Sequence, residues 1–192
     1  MSKASKDRYV RRQVGKALVK NLQTRSCGDC TVCCTVMGVK ALDKPVDVTC
    51  QHLYKGDDPG IGSCSRCGKE DGPCNCKGCG IYAKRPSSCK EFHCAWRHSF
   101  DFFPEFEGRP DRLGVMFDMA TAKVFPGGAF VVRESREGAV DAIEADLWEI
   151  AERDGIVFFV VKGQEARRII ANDANMSLAR ELARRTLPVV PS

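Results

Sequence analysis

Twelve cysteines, all between Cys27 and Cys94, are the residues of this 192-residue chain with the clearest chemical purpose. Cys27, Cys30, Cys33 and Cys34 open the series as C-x2-C-x2-C-C, and Cys50 follows with His52 just beyond. Cys64 and Cys67, Cys74, Cys76 and Cys79, then Cys89 and Cys94 complete it. In a tight turn a C-x2-C gap aims two sulfurs at one point, which suits tetrahedral metal–sulfur bonds of about 2.3 Å. Repeated gaps of this kind in a chain without a secretory leader point to metal rather than disulfide chemistry. The three histidines, His52, His93 and His98, all lie close to a cysteine. Imidazole completes zinc sites and Rieske-type clusters, and His93, beside Cys94, is the first candidate.

The rest of the sequence limits what else the protein does. It contains no G-x-S-x-G, no P-loop, no H-E-x-x-H and no C-x3-C-x2-C. The longest unbroken apolar run is Ile156–Val161, far below the ~20 residues of a membrane helix. The N-terminal stretch is basic but lacks the apolar core of a signal peptide, so a cytoplasmic protein with reduced thiols is expected. Of the net charge of +5, the source is residues 1–25, where eight basic residues face Asp7 alone.

Three segments must position these groups. Residues 1–25 read as a basic amphipathic helix, with Val10, Val14, Leu18 and Leu22 four apart on one stripe. Either it docks on the body, or it meets an acidic partner, nucleic acid or a membrane surface. Residues 26–100 hold about fifteen sizeable apolar side chains besides cysteine, a core thin enough to need metal staples. Within them, 55–78 is a polar loop whose C-S-R-C-G and C-K-G-C-G read as an inserted pair of zinc knuckles. Residues 101–192 read as a small α+β unit. Strands are expected at Leu113–Asp118, Lys123–Phe125, Ala129–Glu134, Ile156–Val161 and Ala166–Ile170. Helices are expected over 139–153, stopped by Gly155, and from an Asn172 or Asp173 cap to about Arg185. The fold class is therefore α+β: an irregular, metal-stapled N-terminal half with short helices, joined to an ordinary α+β half that folds more independently of metal.

The order C-G-D-C-T-V-C-C (27–34), T-C-Q-H-L (49–53) and C-G-I-Y-A-K-R-P-S-S-C-K-E-F-H-C-A-W (79–96) resembles the CxxCxxCC cysteine-cluster family of zinc- or iron-chelating domains. The resemblance covers about 26–100. It implies metal binding through Cys27, Cys30, Cys33, Cys34, Cys50, Cys79, Cys89 and Cys94, with iron–sulfur clusters in some relatives, including a flagellin lysine methylase domain. Cys64, Cys67, Cys74 and Cys76 are extra to that pattern. Tyr82, Arg85, Pro86, Phe92 and Trp96 belong to it: Pro86 is expected to fix a turn, Phe92 and Trp96 to share a helix face over the cluster, and Arg85 to offset thiolate charge.

Three functions fit the residues: a metal-stabilised interaction module whose basic helix binds an acidic partner, an iron–sulfur protein that moves electrons or supports a modifying enzyme, and an enzyme using an open iron of its cluster. Ferredoxin-like spacing at Cys27, Cys30 and Cys33 favours iron–sulfur, and the knuckles favour zinc.

Overall fold

A computed structural model describes residue 25 and residues 30–54, 78–98, 100, 102–104, 107–120, 125 and 127–186. The expected helix over 5–24, Cys27, the knuckle cysteines Cys64, Cys67, Cys74 and Cys76, and residues 123–124 lie outside the described residues.

The C-terminal half is built on one sheet of four strands in the order β3 (Val115–Met119), β4 (Ala129–Glu134), β5 (Val157–Lys162), β6 (Glu165–Ile170). The pairs β3–β4 and β5–β6 are antiparallel, and β4–β5 is parallel. A parallel neighbour needs a crossover, and the helix α4 (Glu144–Asp154) supplies it. A 3-10 turn over Asp141–Ile143 leads into α4, so the helix begins later than the expected 139. Gly155, in the left-handed conformation at φ 66°, ends α4 with its N–H on the Ala151 carbonyl, as its position after the apolar run predicts.

Alternation along β5 buries both of its faces. Phe158 and Val160 point into one apolar cluster with Val115, Phe117, Phe130, Val132 and Ile170, which α4 covers with Leu147, Ile150 and Ala151. Val157, Phe159 and Val161 point the other way, against Ala179 and Ala183 of the last helix, α5 (Asp173–Thr186). Asn172 caps α5: its Oδ1 accepts the Asn175 N–H at 3.1 Å. A fully apolar strand is thus an inner strand between two helical layers.

Two of the expected strands differ by more than a single residue at an end. Leu113 ends a short helix, α3 (Pro110–Leu113), because Gly114 at φ 78° turns the chain out of the helix before β3 starts. Phe125 lies in a bend and is buried against the α5 face. The chain then passes Gly127 so close to the end of α4 that a Cβ there would stand 2.3 Å from the Asp154 carbonyl oxygen.

The cysteine-bearing half has little regular structure. It contains α1 (Val32–Val36), the two-residue strands β1 (Leu53–Tyr54) and β2 (Gly78–Cys79), and α2 (Ser87–Glu91), with 3-10 turns at Lys40–Leu42 and Tyr82–Lys84. It packs on the sheet at defined points. Met116 points away from Val115 and Phe117 and meets Val32 and Val36 of α1. Ala95 is fully buried in the α4-side cluster, and its N–H donates to the Phe117 carbonyl of the outer strand β3 at 2.8 Å. Phe100 and Phe102 stack edge-on against Phe130 at 5.1 and 4.9 Å. The chain is a mixed helix–sheet, α+β protein.

Candidate metal centre

Five of the seven described cysteines gather from four separate segments. Cys33 and Cys34 sit side by side on α1. Cys50 is buried, and its N–H donates to the Cys34 carbonyl at 2.9 Å, which lays the second segment along the first. Cys79 pairs with Leu53 across the β1–β2 ladder, and the Gly80 N–H donates to the His52 carbonyl at 2.7 Å. Cys89 lies on α2, whose N-terminus is set by Pro86: φ −54° and ψ 154° end the extended chain there, as expected of a proline that fixes a turn.

The thiols act on one another's ionisation. Cys33 donates its S–H to Cys34; that bond, with burial, pushes the Cys33 thiol up, and the same bond holds Cys34 below the usual thiol range. Negative charge on Cys79, Cys50 and Cys89 opposes ionisation of Cys34. Burial raises Cys79, and the charges of Cys50 and Cys89 add to it. Burial raises Cys89 likewise, with Cys33 and Cys50 contributing. Among the described residues the seven cysteines form no disulfide with one another. Among the described residues no three His, Cys, Asp or Glu side chains close on one point as a finished metal site. The donor set is nevertheless of one chemical kind, soft sulfur, and suits zinc, copper(I) or iron–sulfur chemistry rather than magnesium or calcium.

Cations stand beside the thiols. Lys44 is 8% exposed, and its Nζ donates to the Met37 carbonyl and to the Pro45 carbonyl at 3.2 Å. Burial lowers its pKa, while Cys50, Cys34, Asp47 and Cys33 act in the opposite sense. Nothing in the sequence marks Lys44, because lysine is the residue most often left in water and spacing carries no sign of burial. Arg85 favours ionisation of Cys79 and Cys89, and its guanidinium lies 3.9 Å over the Tyr82 ring.

The other sequence-predicted residues fall elsewhere. Cys30 and Cys94 line an apolar cluster with Val32, Val36, Met116 and Phe92, which Cys33 also touches. Burial pushes Cys30 up to about 12. His93 lies 5.4 Å from His98, ring to ring, and burial with the charges of Arg97, His98 and Arg85 lowers its pKa. Phe92 and Trp96 do not share a helix face. The helix stops at Glu91, Phe92 continues in extended backbone, and Trp96 sits in a turn where Arg25 stacks at 5.3 Å and donates to the Trp96 carbonyl. Phe92 ends the helix because its side chain turns inward to the Met116 cluster.

Comparison with protein-family models, curated proteins and solved structures finds no match to this chain.

Proposed function

We propose that this protein binds a thiophilic metal, as an iron–sulfur cluster or as zinc, through Cys34, Cys50, Cys79 and Cys89, with Cys33 as an adjoining fifth sulfur. The supporting observation is the convergence of four chain segments that share little but their cysteines. Uncompensated, such a set repels itself on ionisation, and the neighbouring Lys44 and Arg85 offset only part of that charge. Bound metal offsets the rest, and each sulfur binds it as thiolate. The Cys33–Cys34 hydrogen bond already favours the thiolate at Cys34. Cys30, Cys94 and His93 stand outside this set, and the role on this reading is structural or redox, in support of a partner. Reduced thiols suit the cytoplasm, and residues 1–25 suit an acidic partner or nucleic acid.

Anaerobic purification of the full chain decides the matter. Native mass spectrometry should show metal mass above the protein, and Cys50→Ser and Cys79→Ser should each remove most of it. Absorbance near 400 nm identifies iron–sulfur; a colourless protein with stoichiometric zinc identifies zinc. A metal-free wild-type chain, or full occupancy in both variants, refutes the assignment.

A further inference from the structure

Two aspartates of the loop that leads to Cys50 hold left-handed backbone, Asp43 at φ 47° and Asp47 at φ 57°. Glycine takes that conformation without steric cost, so another residue there points to a use for its side chain. At Asp47 the use is visible. Its carboxylate accepts the Gly163 N–H in the turn between β5 and β6, 116 residues away in sequence. Arg133 of β4 holds the other polar group of the same residue: its Nη1 donates to the Gly163 carbonyl at 2.8 Å. Arg133 stands in register with Met116 of β3, and Met116 packs on Val36 of α1. The Asp47 N–H in turn donates to the Val36 carbonyl at 3.2 Å. These contacts close a ring that runs from α1 through β3, β4 and the β5–β6 turn to Asp47 and back to α1. Among the described residues, the other hydrogen bonds of this loop stay within the cysteine-bearing half: Lys44 exchanges backbone bonds with Val39 at 2.9 and 3.1 Å, and Cys50 donates to the Cys34 carbonyl.

We propose that Asp47 is a positioning residue for the thiol cluster: its bond to Gly163 sets the loop against the sheet and so holds Cys50 beside Cys34 before metal binds. A ligand set that already has its shape loses less conformational freedom when the metal arrives, which raises affinity. The inference rests on the metal reading for its function, but the bond itself acts in the metal-free chain and is measurable there.

The test compares full-length wild type with Asp47→Gly and Asp47→Asn. Glycine relieves the backbone but removes the acceptor, whereas asparagine keeps an acceptor oxygen and tolerates the left-handed region. A residue needed only for its backbone would gain from glycine. In reduced, metal-free protein, iodoacetamide should modify Cys50 about fivefold faster in Asp47→Gly and within about twofold of wild type in Asp47→Asn, with Cys94 unchanged, as read by peptide mass. Zinc affinity, from competition with a chelator, should fall about fivefold in Asp47→Gly and recover in Asp47→Asn. Wild-type behaviour in Asp47→Gly, the same loss in Asp47→Asn, or equal acceleration at Cys94 overturns the proposal. Should Asp47→Gly fail to fold, amide exchange of the wild type decides. Coupling is reciprocal, so zinc should slow exchange of the Gly163 N–H, and a Gly163 N–H indifferent to zinc overturns the proposal. A wild-type chain that takes no metal refutes the metal assignment, and the alkylation rates then judge Asp47 alone. Equal zinc affinity in wild type and Asp47→Gly refutes this inference and leaves the metal assignment standing.

Discussion

Lys44 carries an unusual load for a lysine. It is nearly buried, holds two backbone carbonyls, and faces Cys50, Cys34 and Cys33. A buried cation beside several ionisable thiols lowers the cost of turning them into thiolates. Lys44→Met, close in volume and without charge, should therefore weaken zinc affinity of the reconstituted protein roughly tenfold, or ~1.4 kcal/mol. Competition with a chromophoric chelator measures it. An affinity equal to wild type would mean that Lys44 serves only to tie its loop to Met37 and Pro45. Cys33 and Cys34 could be read as ligand candidates from their spacing, but their unequal roles could not. The donor–acceptor order within the pair depends on how much of each sulfur the fold buries.

Among the elements, the β3–β4 ladder holds the clearest pH response. Asp118 on β3 is half-buried, and burial raises its carboxyl pKa, with Arg133 and the Met119 N–H acting in the opposite sense. The folded state thus holds this proton more tightly than the unfolded chain. The group's contribution to stability is fully present below the unfolded carboxylate range, about 3.9, and is lost as pH rises through the folded value. Asp118→Asn cannot ionise, so it should melt a few degrees higher than wild type at pH 7, with the gap closing below pH 4. Melting curves across that range check it, and a gap independent of pH would refute the burial argument. Most element positions were legible beforehand because period-2 and period-3.6 patterns report burial directly: β5 reads as inner, and α4 and α5 show one apolar face each. The ends of α2 and α3 were less legible, since each is a single turn whose limits depend on neighbours. Phe92 leaves the helical path to fill space beside Met116, and Gly114 allows the turn into β3.

In the whole molecule, the halves meet through specific contacts on both sides of residue 100. Ala95 is part of the sheet's core, Val32 and Val36 rest on Met116, and the Asp47 carboxylate accepts the Gly163 N–H at the β5–β6 turn. These contacts give a sharper expectation for metal removal. If bound metal holds the four cysteine segments together, chelation should expose them to trypsin while the sheet stays folded. The resistant fragment should begin upstream of Ala95, after cleavage at exposed Lys84 or Lys90, rather than at residue 101. Mass spectrometry of the limit digest reads the fragment's start. A fragment beginning at 98, from cleavage after Arg97, would show that the Ala95–Phe117 bond adds little. Composition and periodicity alone mark out the cysteine-rich segment, the α+β class and the order of the C-terminal helices and strands, because residue type and burial pattern are local properties of the chain. Which cysteine segments lie together and which cations stand beside them depend on tertiary structure, because those contacts join residues far apart in sequence and no local pattern encodes them.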